Sequence, residues 1–259
     1  MIAHIFRSPM LFNHLSTFAL ILVTVLTWSC SADDADPPKP QSSSINTIMP
    51  LGASRVEGNR PEFESFRYEL WKNLVEGGYT FDFIGTQTDG ASYLEFEGRT
   101  FDTDHEGRGG WTSSQILEGI ESWINAAGAP DIVLFSSPGG NDILNGASIE
   151  ATLANVNAII DVIQEANPNV TILIEQLAPL RSDLTTTAET IAIAQAQQVI
   201  AAIATTQTTT SSQVIPVDMF TGFTDDFLAD EVHYNQAGAE FIANRYFTAL
   251  VRVLDNPSE

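Results

Sequence analysis

The feature that most constrains the fold is a regular alternation of short β-rich runs and longer helical segments from Ile45 onward. The β-rich runs are residues 45–51, 79–86, 131–137, 170–177 and 214–219. Helical spacing of apolar residues occurs in residues 61–78, 113–128, 149–168, 188–205 and 237–254. Five β-α units in strict alternation predict an α/β fold, a three-layer α/β/α sandwich around a five-stranded, parallel, doubly wound sheet. The sequence shows neither an internal repeat nor a second domain.

Small and polar residues follow four of the five predicted strands. Ligands of such sheets bind at the carboxyl ends of the strands, so these positions are the natural place to look for a functional site. Ser54 closes the first strand, and a loop ending at Gly110 follows the second. Asn141 follows the third strand, and Asp230 and His233 follow the fifth. These residue types are the ones that acyl transfer requires.

Chemistry gives each of these residues a role. A serine hydroxyl is a weak nucleophile until a base removes its proton, and His233 is the candidate base for Ser54. Asp230, three residues earlier, can bind the far ring nitrogen and fix the tautomer of His233. The candidate oxyanion donors are the backbone N–H groups of Ser54 and Gly110 and the side-chain amide of Asn141.

The blocks GAS, GGWT, GGND and DEVH, in that order, resemble the four sequence blocks of the SGNH (GDSL-type) hydrolase superfamily. The resemblance implies a flavodoxin-like sandwich and a serine esterase with Ser54, Asp230 and His233 as the triad. It also implies Gly110 and Asn141 as oxyanion donors, without cofactor or metal. The block DHEGRGGWT resembles the version in secreted carbohydrate acetylesterases. The first block departs from the family pattern, because Ala53 stands where Asp is usual.

Several residues have a second interpretation. Ser54 alone is also typical of a helix N-cap, and Asn141 of a turn. His105 is an alternative base within DTDHEG, which we interpret as a solvated loop rather than a metal site. Arg55 is a candidate for substrate contact or for pairing with an acid such as Glu57. Trp111 is a candidate for stacking on a sugar or for filling the core.

The charge balance excludes one class of function. Eleven Lys and Arg residues against 33 Asp and Glu residues give a net charge of −22. Nucleic-acid binding needs a basic surface, so we expect no such partner. The acids are spread along the chain, and we interpret them as a solvated surface, with a salt-rich habitat as one hypothesis.

The first 30 residues have the pattern of an export signal: Arg7, an apolar run at 15–28, and small residues around Cys30. The segment resembles a bacterial lipoprotein signal in which Cys30 is lipidated; the alternative is plain secretion with cleavage near Ala32. Residues 31–44 have linker composition, and we predict the hydrolase domain at 45–259. The expected location is the outer membrane or cell surface, otherwise the periplasm or the medium.

The sequence thus predicts an exported serine esterase that acts on an acetylated saccharide or another short-chain ester. Two alternatives stay open: a lipid or aryl esterase of the same superfamily, and a catalytically impaired surface binding protein, to which Ala53 points.

Overall fold

The structure, a computed structural model, describes residues 41–254. The predicted signal at 1–30 with Cys30, and residues 31–40 of the predicted linker, lie outside the described residues.

A central sheet of seven strands organises the domain. The strands are β1 (Thr47–Gly52), β2 (Asp82–Phe83), β3 (Gln87–Thr88), β4 (Asp104–Gly107), β5 (Ile132–Phe135), β6 (Thr171–Gln176) and β7 (Gln213–Asp218). Their order is β3-β4-β1-β5-β6-β7, with β2 also paired to β1. All pairs are parallel except β3 with β4, which is antiparallel. The parallel strands place their carboxyl ends at one edge of the sheet.

Helices cover both faces of this sheet. They are α1 (Ser54–Glu57), α2 (Arg67–Glu76), α3 (Ser113–Ala127), α4 (Gly140–Leu144), α5 (Ile149–Ala166), α6 (Thr187–Gln207) and α7 (Gln236–Leu250), with a 3-10 turn at Asp225–Phe227. One buried apolar cluster joins the sheet to α3, α5 and α6, and a second joins it to α2 and α7. Burial of the apolar stripes of the helices stabilises both clusters. The predicted three-layer α/β/α sandwich is confirmed.

The sheet contains two short strands more than the sequence indicated. The predicted run 79–86 forms only the two residues of β2, which pair with the start of β1. β4 occupies the place beside the end of β1, at Leu51 and Gly52. After β2 the backbone passes close to β4 at Gly85, where an added Cβ would lie 2.1 Å from the carbonyl of His105. The sequence did not predict β4, because the buried side chains of DHEG are a histidine and a glutamate and not the apolar residues expected of a buried strand.

Within residues 41–254, no helix is long and apolar enough to cross a membrane.

Candidate active site

Ser54 lies where β1 turns into α1. The carbonyl of Ala53 accepts the N–H groups of Val56 and Glu57, both at 3.0 Å, so the backbone itself closes this turn. Gly52 is required for the approach of β5, because an added Cβ would lie 2.8 Å from the carbonyl oxygen of Ser136. The turn therefore forms without the aspartate that the family usually has at position 53.

Ser54, His233 and Asp230 form a continuous chain of hydrogen bonds. His233 Nε2 lies 2.9 Å from Ser54 Oγ, and His233 Nδ1 lies 2.8 Å from Asp230 Oδ2. Asp230 Oδ1 accepts the backbone N–H groups of Val232 and His233, at 2.8 and 2.7 Å. Burial alone would raise the pKa of Asp230, but these hydrogen bonds outweigh it and lower the pKa. Asp230 is therefore an anion at neutral pH and selects the tautomer with the proton on His233 Nδ1.

One face of the His233 ring is covered by Phe63. The two rings stack with centroids 3.8 Å apart and an interplanar angle of 14°. The sequence predicted one helical segment over residues 61–78, which places Phe63 among the apolar residues of the first helix. That assignment is wrong for this residue, because α2 begins only at Arg67 and Asn59 and Phe63 close a turn before it. Sequence reasoning missed this contact with the candidate base.

The candidate oxyanion loop passes close to Ser54. A Cβ built on Gly109 would lie 3.9 Å from Ser54 Cβ, and the Gly109 N–H donates to Glu57 Oε2 at 2.6 Å. Gly110, which follows, has φ +77°, a conformation that favours glycine. Within residues 41–254 the structure records no hydrogen bond for the N–H of Gly110 or of Ser54. Both donors are thus available to a ligand.

The GGND block holds the oxyanion loop against α3. Asn141 Nδ2 donates one hydrogen to the Trp111 carbonyl at 2.8 Å, which leaves the second amide hydrogen for a ligand. Asp142, which the sequence did not assign a role, accepts the N–H and the hydroxyl of Ser113, both at 2.7 Å. These contacts fix Trp111 and the N-terminus of α3 beside Asn141.

Arg55 lines a small cavity beside Ser54, but backbone carbonyls hold its guanidinium. It is buried, with 4% of its surface exposed, and its guanidinium donates to the carbonyls of Val232, Ala178 and Pro179. Its nearest carboxylate is Glu175 at 3.7 Å. The expected pairing of Arg55 with an acid is confirmed, although the acid is Glu175 and not Glu57. A contact between Arg55 and substrate stays a prediction. Arg55 also connects α1 to the loop that carries His233.

Glu175 organises the strand ends around Arg55. Its buried carboxylate accepts hydrogen bonds from the Ser136 hydroxyl at 2.7 Å and the Ser137 N–H at 3.0 Å. It also accepts the Ala178 N–H at 3.1 Å. Glu175 is the single acid in the apolar strand run ILIEQ. An acid in such a run is the sequence signal for a buried, hydrogen-bonded carboxylate.

Trp111 is half-buried against the core. Its ring lies 5.5 Å from that of Trp123, and the Arg108 guanidinium lies over both rings. This packing favours the core-filling interpretation over a free stacking platform.

The DTDHEG segment is not the solvated loop that the sequence predicted. His105 is 2% exposed, and its Nδ1 accepts the Gly107 N–H at 2.9 Å. Burial, and then the positive charge of Arg67, lowers its pKa from 6.5 to about 3. His105 therefore stays neutral inside the domain and is not an alternative base. Within the described residues, no three His, Cys, Asp or Glu side chains converge as a metal site.

A small apolar cavity lies on one side of Ser54. It has a volume of about 20 Å³ and is lined by Leu144, Leu177, Leu180, Ile193 and Val232 together with Asn141. This volume has room for about one group the size of a water molecule.

The GDSL-like Lipase/Acylhydrolase family profile matches residues 80–241, more than half of the chain. The chain belongs to this family. It is therefore a hydrolase of the SGNH group, as the sequence blocks predicted. The matched region includes Asn141, Asp230 and His233 but begins after Ser54, so the position of the nucleophile depends on the geometry above. No curated protein sequence matches this hydrolase.

Solved structures support the same assignment. A carbohydrate esterase family 3 protein from Talaromyces cellulolyticus is 27% identical, with a TM-score of 0.70 over 81% of this chain and 98% of that one. A Clostridium thermocellum family 3 carbohydrate esterase is 30% identical, with a TM-score of 0.67 over 81% and 96%. An acetyl esterase mutant with acetate ion is also 27% identical, with a TM-score of 0.70 over 81% and 98%.

Proposed function

We propose that this hydrolase is a serine esterase that removes acetyl groups from carbohydrates through an acyl-enzyme. The observation that carries the proposal is the hydrogen-bonded chain from Ser54 through His233 to Asp230. The similarity to family 3 carbohydrate esterases and to an acetyl esterase supports the choice of substrate.

In the acylation step, Ser54 Oγ attacks the ester carbonyl while His233 Nε2 accepts the hydroxyl proton. The imidazolium is stabilised by the Asp230 carboxylate on its other nitrogen. The proton then passes from His233 to the departing alcohol, which leaves acetyl on Ser54. In deacylation, His233 takes a proton from water, the hydroxide adds to the acyl carbon, and acetate leaves as Ser54 regains its proton.

The developing negative charge on the carbonyl oxygen needs fixed donors. The N–H groups of Ser54 and Gly110 and the second amide hydrogen of Asn141 are the proposed donors. Each such donor typically contributes a factor of about 10² to 10³ in rate. Glu57 supports this function because its carboxylate fixes the N–H of Gly109, directly before Gly110.

The cavity beside Ser54 supports a small acyl group. Its volume of about 20 Å³ suits the methyl of an acetyl group, whereas a longer chain would have to displace side chains such as Leu180 and Ile193. This observation favours an acetylesterase over the lipid or aryl esterase of the alternative reading. The backbone closure of the turn at Ala53 likewise favours an active enzyme over an impaired binding protein.

We also propose that the protein is exported and anchored through a lipid on Cys30, from the pattern of residues 1–30. An acetylated polysaccharide outside the cell is a substrate that an anchored enzyme would meet.

The test uses the full-length protein, purified in detergent, with p-nitrophenyl acetate, butyrate and octanoate beside acetylated xylo-oligosaccharides. We expect the acetate ester to be the fastest of the three and the oligosaccharides to release acetate. Ser54→Ala should lower kcat by about 10⁴-fold or more.

The controls separate the parts of the proposal. Trapping of radiolabelled acetyl on the wild-type protein, and its absence on Ser54→Ala, would support the acyl-enzyme. Unchanged activity of Ser54→Ala would refute the mechanism, and a maximum at octanoate would refute the acetyl preference.

A further inference from the structure

A second pocket lies across Ser54 from the small apolar cavity. It has a volume of about 340 Å³ and lies between residues 57–60, at and after the end of α1, and residues 87–91, on and after β3. The apolar cavity lies at the ends of β1, β5 and β6. In the sheet order, β1 separates β4 and β3 from β5 and β6, so the two pockets flank Ser54 on opposite sides.

The second pocket is connected to the reacting groups by two contacts. Glu57 lines it and accepts the N–H of Gly109, the residue beside Ser54. Asn59 also lines it and closes a backbone turn with Phe63, which stacks on His233. The lining residues Glu57 and Asn59 are thus linked, through Gly109 and Phe63, to residues that contact Ser54 and His233.

The lining of this pocket is polar. Asn59, Gln87 and Asp89 provide two amides and a carboxylate. Asp89 is held by Arg67 at 2.9 Å, by the Ala91 N–H at 2.8 Å and by the Tyr93 hydroxyl. Burial would raise its pKa, but these contacts outweigh burial and lower it, so Asp89 is ionised. Amide and carboxylate groups both bind hydroxyls, and a carboxylate does so strongly.

The charge of the pocket distinguishes between kinds of sugar. Among the charged residues of the lining, Arg60 is paired with Glu64 at 2.6 Å and Asp89 with Arg67 at 2.9 Å. Among the described residues Glu57 has no ion pair, so the unbalanced charge of the lining is negative. Like charges repel, so a uronic acid carboxylate would be unfavourable here. The volume lies within the range of ordinary ligand pockets, about 300–1,000 Å³.

We propose that this pocket binds the alcohol part of the ester, and that this alcohol is a neutral sugar unit. The inference rests on the esterase function proposed above and adds the residues that recognise the leaving group: Asn59, Gln87 and Asp89. The acetyl group then occupies the apolar cavity while the sugar occupies the polar pocket, with Ser54 between them.

The experiment compares two substrates on the full-length protein. Acetylated xylo-oligosaccharides fill the polar pocket with a neutral sugar, whereas p-nitrophenyl acetate does not. The quantity compared is the kcat/KM for the oligosaccharide divided by the kcat/KM for p-nitrophenyl acetate. We expect the double variant Asn59→Ala/Gln87→Ala to lower this ratio about tenfold or more, because two hydrogen bonds to the sugar are lost. The matched control is Gln198→Ala on the exposed face of α6, for which the ratio should not change. Thermal melting checks that each variant is folded.

Each of the following outcomes supports or overturns the proposed sugar subsite. A ratio that falls in the double variant but not in the control supports the subsite, and an unchanged ratio in a folded double variant overturns it. Faster release of acetate from acetylated polygalacturonate than from the xylo-oligosaccharides would overturn the choice of a neutral sugar. A wild-type protein that cleaves p-nitrophenyl acetate but no acetylated saccharide would refute the carbohydrate substrate itself.

Discussion

At the scale of single residues, Phe63 is the contact that most directly constrains the candidate base. Its ring lies parallel to that of His233 and is held by a turn that is separate from both Ser54 and Asp230. An aromatic face also favours the imidazolium that forms during catalysis.

We expect Phe63→Leu to lower kcat on p-nitrophenyl acetate by about two- to tenfold, the equivalent of about 0.5–1.5 kcal/mol for an aromatic pair. KM should change little, because leucine keeps the volume but not the orienting ring. Steady-state kinetics measures both constants. The control is Phe247→Leu on α7, which removes a ring contact with Tyr79, away from Ser54 and His233. Equal kinetics for wild type and Phe63→Leu would contradict the role.

The sequence predicted the residues that carry chemistry better than those that support them. The structure brings Ser54, His233 and Asp230 together as the blocks predicted, because the carboxyl ends of parallel strands meet at one edge. Phe63 was misassigned, since helical spacing does not show where a helix begins. Arg55 pairs with an acid as expected, but the sequence did not show that the acid is Glu175 or that the pair is buried.

At the scale of elements, β4 carries a titratable group into the core. The pKa of His105 is lowered to about 3, so the folded protein binds this proton less readily than the unfolded chain does. The contribution of His105 to stability is therefore complete above pH 6.5 and is lost as the pH falls toward 3.

We expect this loss to be about 1.4 kcal/mol for each pH unit below 6.5. His105→Asn keeps an acceptor for the Gly107 N–H but does not titrate. Between pH 7 and pH 4.5 the variant should lose about 2–3 kcal/mol less free energy of unfolding than the wild type. Urea denaturation at the two pH values measures the difference. Parallel losses in the two proteins would count against the buried neutral state.

Arg55 and Glu175 connect three elements, α1 and the ends of β5 and β6. Their side chains are 5% and 0% exposed. Removing one partner leaves an uncompensated buried charge, and such losses are about 3–5 kcal/mol.

We expect Arg55→Met to lower the free energy of unfolding by about this amount, as measured by urea denaturation. It should also lower kcat, because the Val232 carbonyl loses its donor next to His233. Adding Glu175→Gln should restore part of the stability. If Arg55→Met were as stable as the wild type, the pair would not hold the strand ends as described.

The elements themselves were largely predictable. Long helices with a clear apolar period and strands buried on both faces follow from the sequence alone, as α3, α5 and β6 illustrate. β3 and β4 did not, and the predicted strand 79–86 shortened to the two residues of β2. Strands of two to four residues contain too few positions for a period, and their pairing depends on contacts distant in sequence.

At the scale of the whole molecule, the proposed lipid anchor on Cys30, which lies outside the described residues, would determine where the enzyme acts. We expect Cys30→Ser to move the protein from the membrane pellet to the soluble fraction of a bacterial host, because acyl chains provide the anchoring energy. Fractionation followed by an esterase assay measures this shift. An unaltered distribution between pellet and supernatant would contradict lipidation.

The proposed nucleophile and its base are separated by 179 positions along the chain, with Ser54 directly after the first strand and His233 after the last. A nascent chain that has completed only the first strands holds a serine without its activator. Hydrolysis by the proposed pair would therefore require a chain folded as far as the final turn before α7. The order of these residues along the sequence would therefore leave an incomplete chain without the proposed Ser54–His233 pair.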